Sequence, residues 1–168
     1  MIRPLDSDDL DAFIQIRSDS LTQAPQAFGS DPRPVSAFDR TQTEKDLAAK
    51  NEKNFILGYF DKGVLQGIMG FVLSDREKVR HRAFIWGVFV YPQYRGKGIG
   101  RALMEATLER AKGIEGLVKV VLSVTASAEA AKSLYESFGF ETYGLERDAM
   151  RWKGQSLDEL FMEWYKPQ

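Results

Sequence analysis

The chain has 168 residues, 43% of them hydrophobic and 12% aromatic, which suits one folded domain over 1–168 and excludes a disordered segment. With 23 Lys and Arg against 24 Asp and Glu, the formal charge is −1, which argues against a nucleic-acid binder working through bulk charge. The absence of cysteine excludes disulfides, thiolate zinc and a cysteine nucleophile, and a single histidine excludes a multi-histidine centre, so no metal is expected.

The amino-terminal residues reach Asp6, Asp8 and Asp9 before any apolar run, unlike a signal peptide. The longest apolar run, 83–91, falls far short of the ~20 residues of a membrane span, so a cytoplasmic protein without a membrane is expected. Residues 2–5 suit a short strand. Asp6 or Ser7 can cap a helix over 8–21, where Leu10, Phe13, Ile14 and Ile16 give partial helical periodicity. Four helix breakers, Pro25, Gly29, Pro32 and Pro34, make 24–34 a loop, and Phe28 within it predicts that the loop packs on the body. A second, largely polar helix is predicted over 36–51 with Ser36 as its cap.

From residue 54 the pattern turns to strands, 54–60 and 64–73 around Asp61-Lys62-Gly63, then 82–91 after a charged tip at 74–82. A glycine-rich loop follows, then a helix over 98–112, a strand over 117–125 and a helix over 128–138. Two long strands, 140–151 and 158–166, close the chain around a turn at 153–156. The unit from 83 to 125 is strand, helix, strand, so a right-handed crossover should make its strands parallel, with the glycine loop at their carboxyl ends.

That loop, Arg95-Gly96-Lys97-Gly98-Ile99-Gly100-Arg101, carries the chemistry. The first amides of a helix have no intrahelical acceptor and sit at the positive end of its dipole, so a phosphate there collects several hydrogen bonds. The three glycines remove side chains that would block it, and Arg95, Lys97 and Arg101 add charge. Lys97 is followed by Gly98 rather than Ser or Thr, which excludes a Walker loop, and the uniform glycine spacing excludes the dinucleotide fingerprint. A turn rich in glycine for purely conformational reasons is the alternative.

Together with a second segment, Ala131-Lys132-Ser133-Leu134-Tyr135-Glu136-Ser137-Phe138-Gly139-Phe140, the loop resembles the GNAT N-acetyltransferase family. The loop matches the family's Arg/Gln-x-x-Gly-x-Gly/Ala signature, and the second segment its Ala-x-x-Leu-Tyr-x-x-x-Gly-Phe. The resemblance implies an α/β (α+β) fold of the acyl-CoA acyltransferase type. Its sheet would be mixed, mostly antiparallel and six- to seven-stranded, flanked by about four helices, with central strands splayed to admit pantetheine. It further implies acetyl-CoA as co-substrate, held by main-chain groups of Val88, Phe89 and Val90 along pantetheine. Amides from Arg95 through Gly96, Lys97, Gly98, Ile99 and Gly100 to Arg101 would hold the pyrophosphate. Tyr135 would be the general acid for the departing thiolate. Many members carry Asn where this chain has Ala128, and Ser127 is the substitute considered for that cofactor contact.

The acceptor would be a primary amine of a small molecule or, second, of a peptide. It requires a base to lose its proton, for which Glu146, Glu159 and His81 are candidates. Phe28 and Trp86 are candidates to flank the acceptor or, equally, to pack in the core. A non-catalytic acyl-CoA sensor and a scaffold with a vestigial cleft are the competing readings. The apolar stretch 160–165 suits either a homodimer or the monomer core.

Overall fold

The computed structural model describes residues 1–49 and 51–167. The strands are β1 (Ile2–Pro4), β2 (Asn54–Asp61), β3 (Val64–Leu73), β4 (Arg82–Val90), β5 (Lys119–Thr125), β6 (Glu141–Trp152) and β7 (Gln155–Tyr165). The α-helices are α1 (Leu10–Gln23), α2 (Arg40–Ala48), α3 (Ile99–Lys112) and α4 (Glu129–Glu136). The strands join in one sheet of order β1-β2-β3-β4-β5-β7-β6. Every neighbouring pair is antiparallel except β4 and β5, which are parallel as the crossover rule requires. The expected mixed, mostly antiparallel sheet with about four helices is therefore present.

Alternation along the strands divides the core between the two faces of the sheet. On one face α3 inserts Leu103, Met104 and Leu108 among Met69 and Phe71 of β3, Ile85 of β4 and Val120 and Leu122 of β5. On the other, Phe13 and Ile16 of α1 and Leu47 near the end of α2 pack with Leu65, Ile68 and Phe89. Within 160–165, which lie in the internal strand β7, Met162 and Trp164 are buried in the core of this chain while Tyr165 is exposed.

Several boundaries differ from the sequence expectation for local reasons. Residues 7–9 form a 3-10 turn, and Asp6 caps it by accepting from the Asp8 amide while Asp9 accepts from the Asp6 amide. The second helix is shorter than 36–51. Its cap is Asp39, which accepts from the Gln42 amide at 3.0 Å, and Ser36 lies in a separate turn after Pro34. Residue 50 of the expected span lies outside the described residues. The last hairpin turns at Lys153-Gly154 alone, both with positive φ, so β7 starts earlier than 158.

Candidate active site

The centre of interest is the seam between β4 and β5. Only Arg82, Ala83 and Phe84 pair with β5, opposite Lys119, Val120 and Val121; beyond Phe84 the ladder stops. β4 stays paired with β3, but its register slips by one residue between Trp86 and Phe89, a bulge in which Gly87 takes φ +62°. The bulge keeps Trp86 and Phe89 on the α1 face and leaves Val88 and Val90 on the α3 face. The Tyr91 amide donates to the Gln66 carbonyl of the strand beyond, so alternation directs the main-chain groups of Phe89 to β3. Those of Val88 and Val90 point the other way, into the seam. The Val90 carbonyl accepts from Arg95 Nε at 2.9 Å, as an outward-facing carbonyl can. Of the three residues expected to line the pantetheine arm, Phe89 thus turns its main-chain groups to β3, and only Val88 and Val90 face the seam, because neighbours on a strand point these groups to opposite sides.

The glycine loop follows. Gly96 and Gly98 have φ +71° and +77°, and a Cβ on either would meet nothing within 4 Å, so the backbone there is bare and open. Gly98 caps α3 without a side-chain hydrogen bond, which leaves the first amides of the helix free for an anion. Arg95 and Lys97 are exposed, Lys97 Nζ lying 4.9 Å from the centre of the Tyr94 ring. Ile99 is buried and fixes the helix start in the core. Gly100 serves packing as well: a Cβ there would stand 3.2 Å from Leu134 of α4. Arg101 donates to Ser137 Oγ at 2.9 Å. These two contacts bring the first turn of α3 against the last turn of α4, and with it Tyr135.

The Tyr135 ring is 5% exposed and packs 6.1 Å, centre to centre, from Phe140. Its hydroxyl makes no hydrogen bond among the described residues, yet it is not sealed from solvent. Burial pushes its pKa up to about 12, so the phenol stays protonated through the physiological range. Ala128 caps α4 without a side-chain bond, and Ser127 is exposed on the turn before it.

On the other face, Trp86 and Phe28 are half-buried and pack on the α1 cluster. The loop holding Phe28 is tied across to the end of β5, where Thr125 Oγ1 donates to the Gln26 carbonyl at 2.6 Å. Between Phe28 and Trp86 reaches Arg17 of α1, 5.3 Å and 5.9 Å from the two ring centres. Its Nη1 is 3.5 Å from where a Cβ on Gly87 would stand. A cavity of about 560 Å³ opens here, walled by Leu5, Phe13, Arg17, Leu47, Ile56 and Trp86. Arg17 escaped the sequence reading although a signal existed: it shares the inward stripe of α1 with Phe13 and Ser20, four residues after one and three before the other.

Of the candidate bases, Glu146 lies exposed on β6, the outermost strand, where the structure does not join it to the seam. Glu159 pairs in register with Thr125 at the end of β5 and stands one strand nearer. His81 is exposed at the opposite end of β4, before Arg82. Among the described residues no group of three or more metal-ligating side chains occurs, and no helix is long and apolar enough to cross a membrane.

Residues 13–140 match the family model described as Acetyltransferase (GNAT) family. The chain is 35% identical to the N-alpha-acetyltransferase RimI of Mycobacterium tuberculosis over 132 residues, 79% of this chain and 76% of that protein. It is 32% identical to the L-methionine sulfoximine/L-methionine sulfone acetyltransferase of Pseudomonas paraeruginosa, over 70% of this chain and 62% of that one. In fold it is similar to yncA of Salmonella typhimurium, solved with its cofactor acetyl-CoA, with a TM-score of 0.84, 22% identity and coverage of 100% and 94% of the two chains.

Proposed function

Because this chain belongs to the GNAT acetyltransferase family, we propose that its single domain, 1–168, transfers an acetyl group from acetyl-CoA directly to a primary amine while both substrates are bound. The observation that carries this reading is the half-open β4. Its outward Val88 and Val90 groups run straight into a bare, uncapped helix start with cations around it. An amide-bearing arm ending in a diphosphate is the ligand this line of donors and acceptors suits. The Arg95 side chain must leave the Val90 carbonyl for the arm to pair there.

Acetyl-CoA supplies the acetyl group as a thioester. The amine nitrogen forms its bond to the carbonyl carbon as the carbon–sulfur bond breaks, and the electron pair of that bond leaves on sulfur. Tyr135 is assigned to that sulfur. A phenol with a pKa of about 12 does not give up its proton early to a thiolate whose own pKa is near 8.5. It therefore acts mainly by donating a hydrogen bond that strengthens as negative charge develops. Glu159, nearest the seam of the carboxylates considered, is the candidate to take the amine's proton through water.

The two curated relatives are named for an N-alpha position and for L-methionine sulfoximine or sulfone, which supports a small-molecule or peptide amine as acceptor. The activity is placed in the cytoplasm. Release of free CoA thiol, followed across a panel of amines, tests the reading. Acetyl-CoA-dependent release with at least one amine is expected; binding of acetyl-CoA without release on any amine would instead support a sensor.

A further inference from the structure

We infer that Arg17 binds a carboxylate carried beside the acceptor amine, so that the substrate class is the free α-amino acid; this rests on the transferase reading above. The guanidinium is half-buried, yet among the described residues no carboxylate pairs with it. The acid nearest to it in sequence, Asp19, is committed elsewhere, accepting the Tyr91 hydroxyl at 2.6 Å. Of the five N–H donors of Arg17, one is used, on Ser20 Oγ at 3.3 Å. The Phe28 and Trp86 rings stand at 5.3 Å and 5.9 Å, near the outer limit of about 6 Å for a cation–π contact. Burial, and then the neighbouring Arg33, both work against the charge. A fork of donors left this far short of partners in a cavity wall is unfavourable by itself and complementary to an anion.

Position selects which anion. Arg17 Nη1 reaches the bare face of Gly87, at the bulge where β4 has parted from β5. In an α-amino acid only two bonds separate the amine nitrogen from the carboxyl carbon. A carboxylate held in the Arg17 fork therefore sets its amine beside Gly87, facing the seam through which the thioester must approach. The side chain is left to the cavity of about 560 Å³ beyond Trp86, whose wall mixes Leu5, Phe13, Leu47 and Ile56 with Asp46 and Glu52. A peptide amino terminus carries a neutral amide at that position, whose single carbonyl oxygen cannot match the charge or the two-pronged pairing of a carboxylate.

The experiment assays the full chain with acetyl-CoA on the common L-amino acids and on their matching α-carboxamides, reading free CoA thiol. At least one acid should be turned over with kcat/KM about 100-fold above its amide. Arg17→Gln should raise the KM for that acid by a similar factor, with a much smaller change in kcat, and Arg17→Lys should fall between because a point charge replaces a fork. Calorimetry with acetyl-CoA on both variants separates lost recognition from lost fold. Equal turnover of acid and amide, or an acid preference that survives Arg17→Gln, overturns the inference. Turnover of peptides or polyamines and of no amino acid overturns it while leaving the transferase reading intact. No thiol release with any amine overturns both.

Discussion

The two sides of the β4–β5 seam carry positive charge in opposite ways. On the α3 side, Arg95, Lys97 and Arg101 are exposed around a glycine loop, each bonded or stacked on its own neighbours. On the α1 side, Arg17 is half-buried against two rings and, among the described residues, has no carboxylate partner. The difference teaches that the number of cations is a poor guide to their leverage. Water and salt already satisfy the exposed three, so in the proposed cofactor site each would add little to binding, and the grip would come from backbone amides in a fixed geometry. Arg17 has been withdrawn from much of that solvent, so a matching anion has more to gain from it.

Tyr135, on the α3 side of the sheet, gives the largest expected effect. Tyr135→Phe should lower kcat about 100-fold with acetyl-CoA affinity, measured by calorimetry, unchanged; unaltered turnover would remove Tyr135 from the mechanism. The same variant sharpens the role of burial through pH. The folded state holds the phenol at about 12, above the ordinary value near 10, so it favours the protonated form. The associated stability is complete below pH 10 and is lost as pH rises through 12. Denaturant unfolding of the parent protein should therefore weaken over that window by roughly 2–3 kcal/mol more than that of Tyr135→Phe.

Next in size comes the backbone of the loop. Gly98 holds φ +77°, which a β-branched residue adopts only with strain. Gly98→Val should weaken acetyl-CoA binding about tenfold by displacing the first amides of α3. The smallest effect should be that of Lys97→Ala, about two- to threefold in acetyl-CoA Kd at low salt and absent at about 1 M salt, as expected of an exposed charge. A Lys97→Ala effect matching that of Gly98→Val would break the contrast between fixed amides and solvated cations.

The glycine loop, the helix after it, the hairpin of β2 and β3 and the parallel crossover from β4 to β5 were legible in the sequence because each rests on local rules. Glycine spacing, helical periodicity and the handedness of a crossover act over short stretches of chain. The Tyr135 segment was legible through its resemblance to a known family, and its ring is buried against Phe140. Tertiary structure alone decided where β4 leaves β5, since a ladder ends when two separately packed layers diverge. It also decided that Phe89 turns its backbone to β3 while Val88 and Val90 turn theirs to the seam, because a bulge at Gly87 resets the alternation. And it decided that Glu146 stays on the outer strand while Arg17, on the inward stripe of a helix begun 72 residues earlier than β4, reaches Gly87. Such long-range placements depend on which layer packs against which, and local pattern does not encode that.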